Sequence, residues 1–90
     1  MEEIMGIENT SFKGSNGELV EGKTFHTKSK IDLKRGQGER AERFFMSKAK
    51  LDALDFTPAP GQIVEIFYNR FGKVSTLKLA SDDNTIIDVG

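Results

Sequence analysis

The chain has no cysteine and only one histidine, His26, in 90 residues. Disulfides, thiolate catalysis and cysteine-based zinc sites are therefore excluded, and a single imidazole cannot supply a histidine ligand cluster. The acidic residues are dispersed, and no nucleophile elbow or complete glycine-rich dinucleotide motif is present. We expect a protein that is not an enzyme and that holds no metal and no cofactor.

Long apolar runs are also missing. No stretch approaches the roughly 20 residues needed to cross a bilayer, and the acidic start Met1-Glu2-Glu3 is unlike a signal peptide. We therefore expect a cytoplasmic protein with no membrane partner. A hydrophobic content of 37% in 90 residues is enough for one small core, so residues 1–90 are expected to form a single domain.

Net charge is low, but the charges are unevenly placed. The chain carries −1 in total, yet residues 23–50 hold nine Lys or Arg and three acids, a local charge of +6. The flanking segments, residues 1–22 and 51–90, are acidic at −4 and −3. Nine of the 13 cations in 28 consecutive residues favour a polyanionic partner.

The predicted basic track is made of seven cations in this central region: Lys23, Lys28, Lys30, Lys34, Arg35, Arg40 and Arg43. Lys28 and Lys30 are two residues apart, so on a strand they share one face. The alternative interpretation is an ordinary solvated face. In a further alternative, Arg40 and Arg43 pair with Glu39 and Glu42, which neutralises part of the track.

The pattern of β-branched and aromatic residues predicts five or six short strands. Residues 4–13 and 19–33 flank a turn at Asn16-Gly17, residues 63–79 form a second hairpin, and residues 85–89 form a short terminal strand. Gly22 is expected to mark a bulge or bend in the second strand.

The segment between the two predicted hairpins is harder to assign. Residues 34–39 have the composition of a solvated, mobile basic loop. Residues 40–56 fit either one continuous helix or a strand through Met46 followed by a short helix capped by Ser47, and we prefer the second. The cluster Phe44-Phe45-Met46 is expected in the core.

The second hairpin carries an aromatic residue and cations at its turn. Asn69 and Gly72 suit a type I turn with a G1 bulge, which puts Phe71 at the tip. Rings beside cations grip single-stranded nucleic acid, so the candidate binding residues here are Tyr68, Arg70, Phe71 and Lys73. Alternatively, Phe71 folds back over the sheet. The strand register stays open, with Phe67 opposite either Ser75 or Val74.

Short strands with glycine-rich turns and one short helix favour a mainly β fold, a small five- to six-stranded OB-like barrel. The chain resembles the small single-stranded-DNA-binding proteins of phages, including filamentous phages. The resemblance covers about half the chain and rests on Gly22-Lys23-Thr24-Phe25, on Ala59-Pro60-Gly61 and on Phe71-Gly72. It implies an OB-like barrel, frequent dimers, and base stacking by Phe25, Tyr68 and Phe71.

The expected function is sequence-independent binding of single-stranded DNA in phage or mobile-element replication or recombination. The sequence leaves open whether RNA, a homodimer partner or replication proteins are bound as well. The alternative is a small β-barrel module that binds another protein through the Phe71 hairpin, because aromatic and Arg residues also dominate protein interfaces.

Overall fold

The computed structural model describes residues 1–80, which form five antiparallel strands and one short helix. The elements are β1 (Glu2–Lys13), β2 (Leu19–Lys30), β3 (Glu39–Ser47), α1 (Lys48–Asp52), β4 (Ile63–Tyr68) and β5 (Val74–Leu79). The strands make one open sheet in the order β3-β2-β1-β4-β5. The predicted mainly β fold with one short helix is confirmed. A closed barrel is not, since no ladder joins β3 to β5 within residues 1–80.

Both hairpins turn in the same way. Gly17 and Gly72 occupy the left-handed region, with φ of 86° and 80°, which glycine adopts without steric cost. Gly14 N–H donates to the Glu18 carbonyl at 2.8 Å, and Asn69 N–H donates to the Lys73 carbonyl at 2.7 Å. The predicted turns at Asn16-Gly17 and Asn69–Gly72 are therefore confirmed.

Cross-strand pairing separates the sheet into a core-facing side and an outer side. Phe25 on β2 lies opposite Ile7 on β1 and Phe44 on β3, and these three residues face the core. Because side chains alternate along a strand, the even-numbered residues of β2 face outward. The outer side thus contains the partners of Thr24, namely Glu8 and Phe45.

The core lies on the inner side of the curled sheet. Its buried members are Ile4, Phe25, Met46, Val64, Val74 and Leu77, and Phe44, Leu51 and Leu54 pack against them. The Phe25 and Phe44 rings are stacked with centroids 5.3 Å apart. Lys50 of α1 donates to the Val74 carbonyl at 2.8 Å, which ties the helix to β5 across the open side of the sheet.

The strand-then-helix interpretation of residues 40–56 is correct, with α1 shorter than its pattern suggested. Ser47 is the N-cap residue and has extended backbone angles, φ −69° and ψ 160°, although its hydroxyl makes no capping hydrogen bond. Ala53 ends the helix. Two prolines follow at 58 and 60, which exclude a longer helix.

β1, rather than β2, contains the irregularity of the first hairpin, near the open end. Ile4 pairs with Thr27 and Gly6 with His26, so Met5 is an extra residue. This bulge lets Ile4 and Ile7, an odd number of positions apart, both face the core. Of the bulge or bend predicted at Gly22, the bulge is absent, because Gly22 pairs in register with both neighbouring strands.

Three further predictions concern the register of the second hairpin, the segment between β2 and β3, and the terminal strand. In the second hairpin Phe67 pairs with Thr76, and the register shifts between Phe67 and Tyr68, so neither predicted register is correct. Residues 31–38 connect β2 to β3 through turns, with Asp32 accepting backbone hydrogen bonds from Lys34 and Arg35. The predicted terminal strand at 85–89 lies outside the described residues.

Within residues 1–80, no helix is long and apolar enough to cross a membrane.

Candidate functional site

Two phenylalanine rings meet on the outer side of the sheet. Phe12 of β1 and Phe45 of β3 pack edge to face, with centroids 5.3 Å apart and planes at 65°. The rings meet across β2 because Gly22 lies between them without a side chain. A Cβ built there would lie 2.7 Å from the Phe45 ring and 2.1 Å from the Met46 carbonyl oxygen. We call Phe12 and Phe45 the outer aromatic pair.

A shallow groove of about 380 Å³ runs along this pair. Its lining includes both rings, the paired hydroxyls of Thr10 and Thr24, and Arg43. The two threonine oxygens are 2.8 Å apart. The groove thus combines exposed aromatic surface, hydroxyl groups and a guanidinium, which is the chemistry that a base and a phosphate require.

An acidic residue neutralises part of the basic track on the outer side, since Lys28 lies 3.5 Å from Glu39. A second acidic residue, Glu8, hydrogen-bonds to His26 at 2.7 Å. Arg43 lies opposite His26 on the same side, is exposed, and forms no salt bridge within residues 1–80. Lys30 is likewise exposed and in no salt bridge within residues 1–80, so Arg43 and Lys30 are the two strand cations of the outer side that can meet an anion.

The tip of the second hairpin presents Phe71 to solvent. The Phe71 side chain is 74% exposed, and the Arg70 guanidinium lies 5.3 Å from its ring centroid. Asn69 Oδ1 accepts hydrogen bonds from the backbone N–H groups of Phe71 at 2.8 Å and Lys73 at 3.0 Å. These bonds fix the backbone of the tip, so Phe71 and its two cationic neighbours are held in one small region.

Tyr68, the last residue of β4, lies near the charged side chains of Glu2, Arg40 and Glu42. Its partial burial raises its pKa, the Glu42 and Glu2 carboxylates raise it further, and Arg40 acts in the opposite direction. Arg40 Nε lies 3.6 Å from Glu42. This arrangement keeps the phenol neutral and places Arg40 beside acids.

The predicted binding residues do not form one continuous surface. Lys28, Lys30 and Arg43 share the outer side, while Arg40 belongs to the opposite side because it alternates with Arg43. Tyr68 lies near Arg40, as their electrostatic interaction shows. The remaining exposed predicted cations lie in loops: Lys34, Arg35, Arg70 and Lys73.

One predicted residue is corrected outright. Phe25 is 0% exposed and stacks on Phe44 inside the core, so its ring is not available to a base. The cause is strand parity: Phe25 and Thr27 point inward, while Thr24, His26 and Lys28 point outward.

The outer aromatic pair was missed from the sequence. Phe45 was grouped with Phe44 and Met46 as core, although adjacent strand residues face opposite sides. Once Ser47 is taken as the end of a strand, parity alone separates Phe45 from its neighbours. No sequence signal showed that Gly22 would leave room for its ring.

The fold and these contacts define a small antiparallel β protein whose outer side carries an aromatic pair beside Arg43, which has no acidic partner in the described part of the chain. Within residues 1–80, no three His, Asp or Glu side chains are grouped so as to hold a metal ion. Comparison with known family models, curated proteins and solved structures finds no match to this chain. The resemblance to phage single-stranded-DNA-binding proteins therefore stays a prediction.

Proposed function

We propose that this protein binds single-stranded DNA without sequence preference, as a non-enzymatic coating protein in phage or mobile-element DNA replication or recombination. The observation that carries the proposal is the outer aromatic pair beside Arg43. Aromatic rings stack on any base, and each stacked base contributes about 1–3 kcal/mol. The uneven charge of the chain supports the same ligand class.

The topology supports an open OB-like barrel as the framework. The strand order β3-β2-β1-β4-β5, with a helix between β3 and β4, is compatible with a partly open five-stranded barrel. Such barrels bind oligonucleotides on the face of their second and third strands, flanked by the loops between strands 1 and 2 and between strands 4 and 5. Here that face holds Phe45 and Arg43, and the second of those loops holds Phe71.

In the proposed arrangement the single-stranded DNA crosses the outer side of β2 and β3. One base stacks on Phe12 or Phe45, and the neighbouring phosphates meet Arg43 and Lys30. Because Glu39 lies 3.5 Å from Lys28, we assign Lys28 a smaller share of the salt dependence than Arg43.

The test is a titration with oligo-dT at two salt concentrations, comparing the parent chain with Phe12→Ala. We expect salt-sensitive binding by the parent and a loss of roughly five- to a hundredfold in affinity for the variant. Phe67→Ala is the matched control, since Phe67 is 39% exposed against 47% for Phe12 but lies on β4. Its affinity should equal that of the parent.

A parent chain that shows no binding to oligo-dT at low salt would reject the proposal and favour a protein-binding module. Equal affinity of Phe12→Ala and the parent would remove the stacking role of the outer aromatic pair. Arg43→Gln is expected to lower the slope of log affinity against log salt by about one unit.

A further inference from the structure

One edge of β1 has no partner over most of its length. β4 pairs with β1 only at Glu2 and Glu3, and the backbone of Ile4 bonds to residues 61 and 62. Beyond that point, over residues 7–13, no described residue pairs with this edge. Among residues 1–80, this edge of β1 is therefore uncovered for about 20 Å.

The hydrogen bonds of the first hairpin show which groups this edge presents. Gly14 N–H bonds to Glu18 across the turn, so the even-numbered residues of β1 after the bulge direct their backbone groups toward β2. The odd-numbered residues direct theirs away from β2. The free N–H and C=O groups thus belong to Ile7, Asn9, Ser11 and Lys13.

This edge has few of the features that protect an edge strand from pairing with another strand. Residues 7–12 contain no Lys, Arg or Pro, the bulge lies before them, and Lys13 stands at the far end of the edge. β3 carries four charged residues among its first five, and the six-residue β5 carries Lys78 and has its Val74 carbonyl occupied by Lys50. β4 also has an edge without a described partner, but it covers only residues 65–68, so β1 presents the longest edge that can accept another strand among the described strands.

We propose that the occupant of this edge is a second copy of the same chain, paired antiparallel through β1 about a two-fold axis near Thr10. An antiparallel edge is complementary to itself, because each outward-facing residue both donates and accepts. With the axis at Thr10, Asn9 lies opposite the second copy's residue 11, and Ile7 lies opposite its residue 13. No two like charges then face each other, since Glu8 lies opposite Phe12 of the second copy.

The choice of axis follows from the charges. Moving the axis to residue 8 would set the Glu8 side chains of the two copies directly against each other, which is destabilising. An axis at residue 9 would leave them as diagonal neighbours. The assembly has a six-stranded sheet at its centre, with the outer aromatic pairs of both copies on one side. It forms without DNA, so it stands or fails independently of the proposed function.

The test uses the absence of cysteine from the chain. Thr10→Cys supplies a single thiol, and in the proposed dimer the two copies of residue 10 form a directly opposed pair with Cα atoms about 4.5 Å apart. That separation permits a disulfide. Treatment with oxidised glutathione should convert most of this variant to a covalent dimer on a non-reducing gel.

Thr24→Cys is the matched control. Thr24 hydrogen-bonds to Thr10 but lies on β2, so two copies of residue 24 would be separated by at least three strand spacings, about 14 Å. It should run as a single chain on the non-reducing gel under the same conditions, because no disulfide can form. A covalent dimer from Asn9→Cys or Ser11→Cys in place of Thr10→Cys would support the same edge with the axis moved by one residue. Failure of all three, or equal cross-linking of Thr24→Cys, would overturn the proposal.

Sedimentation equilibrium of the full chain, without any of the introduced cysteines, gives the second measurement. We expect a mass of twice the 10.0 kDa of one chain, and a dimer dissociation constant roughly thirtyfold higher for Ser11→Pro. Proline removes one outward N–H from each copy, hence two interface hydrogen bonds. Ser11→Ala keeps the N–H and should associate like the parent, with circular dichroism confirming that both variants fold. A parent chain that sediments as a monomer at every concentration would overturn the proposal.

Discussion

Gly22 is a residue at which a single methyl group meets backbone. A Cβ there would lie 2.1 Å from the Met46 carbonyl oxygen, so Gly22→Ala must displace β3 or break its pairing with β2. We expect a loss of about 1–3 kcal/mol in the free energy of unfolding, measured by urea denaturation. Gly6→Ala is the control, because nothing lies within 4 Å of a Cβ at that position. Equal stability of the two variants would contradict this account of the close approach.

The pKa of Tyr68 reports on its charged neighbours Glu2, Arg40 and Glu42. Tyr68 is the single tyrosine in a chain without tryptophan, so phenolate absorbance follows it alone. Partial burial and the Glu42 and Glu2 carboxylates raise its pKa, and we expect the absorbance midpoint above that of a free tyrosine. Glu42→Gln should lower the midpoint. A midpoint at or below that of the free amino acid would contradict the placement of Tyr68.

The same raised pKa gives a pH dependence of stability. The folded state holds the phenol proton more tightly than the unfolded chain does. The resulting stabilisation is complete below the unfolded-state pKa and is lost as the pH rises through the folded-state pKa. Denaturation at alkaline pH should therefore show the free energy of unfolding falling for the parent, with a smaller fall for Tyr68→Phe.

Among the elements, the two hairpins have the same turn but differ in how it is held. Asn69 Oδ1 accepts two backbone hydrogen bonds, while Asn16 Oδ1 accepts one, from Glu18 at 3.0 Å. We expect Asn69→Ala to reduce the free energy of unfolding by about 0.5–2 kcal/mol and Asn16→Ala to reduce it by less. Chemical denaturation of the two variants side by side measures the difference. The reverse order would show that the bonds at the second tip do not stabilise the hairpin.

Local chemistry made the elements largely predictable. Asn-Gly at 16–17 and Asn69 with Gly72 specify tight turns, and Ser47 marks where the strand gives way to helix formers. The bulge at Met5 had no such signal, because it is set by how β1 meets β2 and β4 rather than by its own sequence. The register of Phe67 was missed for the same kind of reason, since a shift between neighbouring residues is decided by packing.

At the scale of the whole molecule, the sequence predicted a mainly β fold and an exposed Phe71 at a hairpin tip, both of which the structure has. It did not predict that the basic track divides between two sides of the sheet. Composition reports how many cations a segment holds, while strand parity and curvature decide which of them converge. Phe25 and Phe45 illustrate this, because the residue chosen for stacking is buried and the one assigned to the core faces outward.

The extra residue in β1 lets two isoleucines that are an odd number of positions apart share one face of a strand. Ile4 and Ile7 both reach the apolar interior because one position between them is unmatched on β2. Removing Met5 would leave them two positions apart, opposite Thr27 and Phe25, so both would still face the interior in plain alternation. A Met5 deletion should therefore keep both side chains buried and lose only the bulge, whereas pairing the intact chain without the bulge would turn one isoleucine toward water.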